Sequence, residues 1–176
     1  MQLTDQRQIM ADPATVWAAI LDPEVLKACV PGCESMTGTA EDGFEAVVVQ
    51  KVGPVSARFT GVVQLLDMVE PVSLRIQGEG KGGPAGFAKG GANVTLEPIE
   101  TGTRLSYTVE ANVGGKIAQL GSRIIDGFAK KMADEFFTRF QAAVEAPDPV
   151  EEPEAAGGEA VAGDEKKKGW FKRLIG

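Results

Sequence analysis

GGKIAQLGSRIIDGFAKKMADEFFTRF, residues 114–140, is where the chain changes its hydrophobic period. From Gly115 to Val144 apolar side chains recur at Ile117, Leu120, Ile124, Phe128, Met132, Phe136 and Phe140, three or four residues apart. That repeat is one face of a helix. Lys116, Arg123, Lys130, Lys131 and Glu135 occupy much of the remaining surface. The spacing predicts a single amphipathic helix of about 28 residues, ~42 Å long.

Upstream, from Glu34 to Asn112, the pattern is strands and turns. Phe44–Val52 is rich in β-branched residues and stops at Gly53-Pro54. In Val55–Val69, Ala57, Phe59, Gly61, Val63 and Leu65 fall on one face, with Ser56, Arg58, Thr60 and Gln64 on the other. After Glu70-Pro71, Leu74, Ile76, Gly78 and Gly80 alternate with Ser73, Arg75, Gln77 and Glu79, a period of two. A loop at Gly82-Gly83-Pro84 leads to a strand with Ala88, Gly90, Ala92, Val94 and Leu96 on one side. Following Glu100-Thr101-Gly102, Leu105, Tyr107, Val109 and Ala111 point inward. Strands joined by short turns imply an antiparallel sheet, polar on one side. Its apolar face is the place for the long helix to bury its stripe. At the N-terminus, Leu3–Met10 alternates weakly. Asp12-Pro13 then caps a short helix through Val16, Trp17 and Ile20, and Pro23–Cys29 forms a second one, broken by Pro31-Gly32. The fold class is therefore α+β: a curved antiparallel sheet around a long C-terminal helix, with two short helices after the first strand.

Composition narrows the function. The chain contains no histidine, so it lacks the commonest general acid/base and the commonest metal ligand. A Ser-His or Cys-His hydrolase is disfavoured accordingly. Cys29 and Cys33, in CVPGC, have too few partners for a thiolate metal site; they read as buried structural thiols. A net charge of −7 argues against a nucleic-acid partner. MQLTDQRQIMADP has no basic region followed by an apolar stretch, so it does not read as a secretion signal. Nor does any apolar run reach the eighteen residues of a membrane span. Cytoplasmic residence is the expectation.

Residues 78–91 are rich in glycine, and GEGKGG satisfies G-x-G-x-x-G. A dinucleotide site would need a helix after it, but Pro84-Ala85-Gly86-Phe87 and a strand follow. A phosphate loop would need Ser or Thr after Lys81, where Gly82 stands. The plain reading is a hairpin with glycine at its turns and bulges. A sharper one uses the alternation, because Gly78, Gly80, Ala88, Gly90 and Ala92 project almost nothing from the inward face. Facing Phe128, Met132 and Phe136, that wall would enclose an apolar cavity suited to a small molecule. The alternative is that the helix packs closer. Candidate lining residues are Phe59, Val63, Leu74, Ile76, Val94, Tyr107, Ile124, Phe128 and Met132.

Charge divides the chain into a domain (1–144), an acidic linker (145–165) and a basic tip (166–176). The linker, rich in Pro, Glu, Ala and Gly without aromatics, has a disordered composition. In the tip, Trp170, Phe171, Leu174 and Ile175 are interleaved with Lys166, Lys167, Lys168, Lys172 and Arg173. Such a mixture suits reversible attachment to an anionic membrane surface; a docking peptide for another protein is the alternative.

These segments together resemble the carbon monoxide dehydrogenase G-subunit family of the helix-grip superfamily, which includes the START and birch-pollen-allergen-like domains. The resemblance rests on PGCES at 31–35, GPVSARFTG at 53–61, GEGKGGPAGFAKG at 78–90, GTRLSY at 102–107 and the stretch at 114–140. It implies about seven strands gripping the helix around a lipophilic cavity, with no catalytic residue set. It also implies an accessory role to a molybdenum-containing carbon monoxide dehydrogenase or a related hydroxylase, as its membrane recruiter. That role would place the protein peripherally at the inner face of the cytoplasmic membrane. The enzyme's electrons must reach a lipid-soluble acceptor, so a quinone (menaquinone or ubiquinone) is the expected ligand of the cavity. A general carrier of lipophilic small molecules and a polyketide-cyclase-like helix-grip enzyme are the competing readings. The enzyme would need acid/base groups facing the cavity, where the alternation leaves only Tyr107.

Overall fold

Seven strands and three helices follow one another in the order set by the turn residues. The structure is a computed structural model and describes residues 1–145. Strand β1 (Gln2–Ile9) leads into α1 (Pro13–Ile20) and α2 (Pro23–Cys29). The Asp12 carboxylate accepts the Thr15 N–H at 3.1 Å, and that of Asp22 accepts the Glu24 N–H at 2.9 Å. Each aspartate thus satisfies an orphan donor of its helix, and the proline that follows has no N–H to satisfy. At Gly32 the backbone turns with φ +77°, and a Cβ there would overlap the Val49 carbonyl oxygen. Only glycine suits both constraints.

The remaining strands are β2 (Cys33–Thr39), β3 (Gly43–Val52), β4 (Val55–Val69), β5 (Ser73–Lys81), β6 (Phe87–Ile99) and β7 (Gly102–Gly114). They form one antiparallel sheet in the order β1-β7-β6-β5-β4-β3-β2. Sequence neighbours pair through short turns, while α1 and α2 carry the chain from one edge of the sheet to the other. The expected alternation holds: Leu65, Leu74, Val94, Leu105 and Tyr107 are buried on the face that receives the C-terminal helix.

That helix, α3 (Ser122–Glu145), is 24 residues long, ~36 Å at the standard rise, and is shorter than its periodicity predicts. A separate 3-10 turn occupies Ala118–Leu120, and Gly121 breaks the path with φ +93°, a conformation that ends a run of L-residues. Ile117 and Leu120 therefore belong to a cap rather than to the helical stripe.

Two apolar clusters result. The larger, toward the C-terminal end of α3, joins Val16, Trp17, Phe44, Leu96, Phe137 and Phe140. The smaller has Val52, Ala85 and Ile117 buried at its centre, with Ile125 and Phe128 packed against it. Cys29 is buried as expected, whereas Cys33 is only half-buried and its thiol donates to the Ser35 carbonyl at 3.2 Å. Burial pushes both thiols up in pKa, which keeps them protonated and unreactive.

Candidate functional site

Between the sheet and α3 the side chains leave two adjoining chambers. The first, about 380 Å³, is walled by Val48, Val52, Phe59, Gly80, Ala88, Ala111, Ile117, Ile125 and Phe128. The second, about 370 Å³, is walled by Phe44, Val63, Ile76, Ala92, Val94, Leu105, Tyr107, Phe136, Phe137 and Phe140, among others. Val109, Met132 and Ala133 border both. Each volume lies in the range of small-molecule sites.

Of the nine residues expected to line a cavity, Phe59 and Phe128 wall the first chamber, and Val63, Ile76, Val94 and Tyr107 wall the second. Met132 stands between them. Two expectations fail. Leu74 is buried in the larger cluster and lines neither chamber. Ile124 is 41% exposed, because a strict four-residue repeat drifts by about 40° per step on a 3.6-residue helix, and Ile125 faces the first chamber in its place. The small-residue wall is found as the alternation implies. Gly80 and Ala88 face the first chamber and Ala92 the second, and all three, with Gly78 and Gly90, line a further space of about 390 Å³ against the sheet that shares Phe59, Val63 and Val109 with those chambers. Gly78 and Gly90 are paired across β5 and β6, and a Cβ on Gly90 would overlap the Glu110 carbonyl oxygen. Its glycine serves the close approach of β7. The tip residues from Lys166 to Ile175 lie outside the described residues.

Polar side chains in the chambers are few. Gln50 reaches the first chamber from the inward face of β3 and donates its amide N–H to the Pro31 carbonyl. The alternation Phe44, Ala46, Val48, Gln50, Val52 could have found it. In the second chamber Tyr107 is 6% exposed, and its hydroxyl is sealed from solvent beside the Arg7 side chain. The Tyr107 ring stacks on Phe137 with centroids 5.1 Å apart, and the Arg7 guanidinium sits 5.1 Å from the Phe137 centroid. Arg7 lies 2.6 Å from Asp134 on α3 and 3.4 Å from Asp5. Burial alone would lower the Arg7 pKa, but the Asp134 carboxylate and the Tyr107 hydroxyl raise it on balance. Asp134 is held below the usual carboxylate range by the hydrogen bond from Arg7 and then by that from Lys130. This ion cluster ties α3 to the edge strand β1. Inward charges of this kind also discourage a further strand from pairing with that edge.

Such an arrangement can hold an apolar body. Among the described residues, no three of His, Cys, Asp or Glu gather as a metal site, and no helix is long and apolar enough to cross a membrane.

Known proteins agree on the fold. A conserved protein from Geobacillus kaustophilus is 29% identical, with a TM-score of 0.77 over 82% of this chain and 95% of its own. A Chromobacterium violaceum protein is 20% identical, with a TM-score of 0.61 over 84% of this chain and 99% of its own. One from Thermus thermophilus is 17% identical, with a TM-score of 0.61 over 82% and 97%. No curated protein is significantly similar in sequence. Residues 6–145 match the pattern of the carbon monoxide dehydrogenase G-subunit (CoxG) proteins. With a match over nearly the whole sheet and all of α3, the chain belongs to the carbon monoxide dehydrogenase G-subunit (CoxG) family.

Proposed function

We propose that this protein is a non-catalytic accessory of a molybdenum-containing carbon monoxide dehydrogenase, or a related hydroxylase, that binds a quinone and works at the inner face of the cytoplasmic membrane. Family membership points to the accessory role. The quinone reading is carried by one observation: two adjoining chambers of about 380 and 370 Å³ between sheet and helix whose lining is almost wholly apolar, which a lipophilic ring and tail would fill. Quinones combine carbonyl acceptors with an apolar ring and tail, so menaquinone and ubiquinone both fit the lining chemistry. In this reading residues 166–176 give the protein a reversible hold on anionic lipid, and the bound quinone is presented to the partner enzyme.

A general lipophile carrier would fit the same apolar lining and differs in the lipid it yields on extraction. A polyketide-cyclase-like enzyme would need titrating groups there, and Gln50 supplies none. The decisive test extracts the purified protein with organic solvent and identifies the released lipid by mass spectrometry. Quinone at near-stoichiometric yield is expected. Repeated recovery of fatty acids or phospholipid in its place would overturn the assignment.

A further inference from the structure

Charge is sorted by end along the domain. Where β2–β3, β4–β5 and β6–β7 turn, the chain carries Glu41, Asp42, Glu70 and Glu100 without Lys or Arg, and Asp67 and Glu97 stand in the strands just before two of these turns, Glu97 paired with Arg104. The opposite end is built from the turn at 53–54, the loop at 82–86, the cap at 115–121 and the first turn of α3. It carries Lys51, Lys81, Lys116 and Arg123, with no carboxylate in residues 51–56, 81–88 or 113–125. All four cations are exposed, and none is ion-paired within the described residues.

Set among these cations are two large apolar side chains left in solvent, Phe87 at 46% and Ile124 at 41% exposure, beside the exposed Pro54 and Pro84. Immediately behind them lies the small cluster of Val52, Ala85 and Ile117. Val52 and Ile117 are also walls of the first chamber. The basic, apolar-tipped end is therefore the outer surface of the chamber's end wall. Its two loops meet through a hydrogen bond from the Ile117 N–H to the Ala85 carbonyl at 3.0 Å.

We infer that this end of the domain is itself a docking surface for an anionic lipid bilayer, separate from the hold provided by residues 166–176. The cations are drawn to anionic headgroups and the apolar side chains enter the interface. The acidic turns at the far end are repelled by the same surface, which selects one orientation. In that orientation the wall of the first chamber faces the acyl region, giving an apolar ligand a path that avoids bulk water. The inference goes beyond the proposed function, because it stands on charge and exposure whatever the chambers hold.

The test uses the full chain carrying Trp170→Ser and Phe171→Ser, so that the tip is weakened, with vesicles of phosphatidylcholine alone or with phosphatidylglycerol. Binding to the anionic vesicles is expected to persist and to fall with salt. Adding Lys81→Glu and Lys116→Glu is expected to reduce it by more than about a hundredfold. Lys27→Glu with Arg139→Glu, which changes net charge equally away from this end, is expected to leave most of it. Orientation is read by Phe87→Trp with bromine-labelled lipid, which quenches the new fluorophore only if this end enters the bilayer. Equal losses from the two charge-reversed pairs, or an unquenched fluorophore at position 87, would overturn the inference. Failure to extract a quinone would leave these readouts unchanged, so the two ideas fail separately.

Discussion

Replacing Gly80 with leucine separates the stability of this domain from its capacity to bind. Gly80 sits on the inward face of β5 and walls the first chamber. A Cβ there would meet the Phe59 Cβ at 3.9 Å and the Thr60 carbonyl oxygen at 4.0 Å, which is ordinary contact. The backbone therefore accepts a side chain, and its four carbons project into the chamber. At roughly the ~30 Å³ of a water-sized group each, they fill ~120 Å³ of the 380 Å³ available. Removing a strand glycine is worth about 0.5–1 kcal/mol, and partial burial of the leucine adds about 1 kcal/mol more. Stability is expected to rise by about 1–2 kcal/mol, or roughly 3–8 °C in Tm for a domain of this size. Affinity for an apolar ligand moves the other way. Displacing about four methylene-sized groups at ~0.8 kcal/mol each weakens binding roughly a hundredfold. Urea unfolding gives the first quantity as a higher midpoint with unchanged slope. Titration of the delipidated protein with a quinone gives the second. A destabilised variant, or one that binds as tightly as the parent, would show that Gly80 does not face usable space.

Gly90→Ala is expected to behave oppositely, losing about 1–3 kcal/mol by overpacking, because its Cβ would strike the Glu110 carbonyl; the urea midpoint reports it. Phe140→Ala removes a fully buried ring that stacks on Phe136 and meets Phe137 edge-on, and a loss of about 3–5 kcal/mol is expected in the same measurement. Asp134→Asn tests the ion cluster through pH. The folded pKa of Asp134 is depressed by Arg7 and Lys130, so its contribution is present above the ordinary carboxylate range and is lost as pH falls through the folded value. The parent is expected to be the more stable at neutral pH, with the two unfolding midpoints converging in acid.

The residues that made the fold legible differ in kind from those that hid the site. Period-two alternation in 55–112, the capped Asp-Pro pairs at 12–13 and 22–23, and the three-to-four spacing from Phe128 to Phe140 are local signals, and local physics decided those elements. The cavity was legible in outline because small inward residues opposite a large-residue helix leave space somewhere. Its full membership was not. Ile124 fits a four-residue repeat, but four residues overshoot one helical turn by about 40°, and over three steps from Phe136 that drift carries Ile124 out of the stripe and brings Ile125 in. Gly78 and Gly90 line space against the sheet as their alternation suggests, but the sequence does not show that at Gly90 the β7 backbone also comes where a Cβ would go. Gln50 was readable from β3 alone. The Arg7–Asp134 pair, 127 residues apart, was not, since only the sheet order brings β1 under α3.

How the apolar residues are distributed explains why this domain can be hollow. Trp17, Phe44, Phe137 and Phe140 gather at one end, where α1 and α2 clamp the C-terminal half of α3. The other half of α3 rests on the small cluster around Val52, Ala85 and Ile117. The chambers lie between these two supports, bordered by Val109, Met132 and Ala133. Side chains at the two ends hold α3 on the sheet, so the space between them is left open without removing either support.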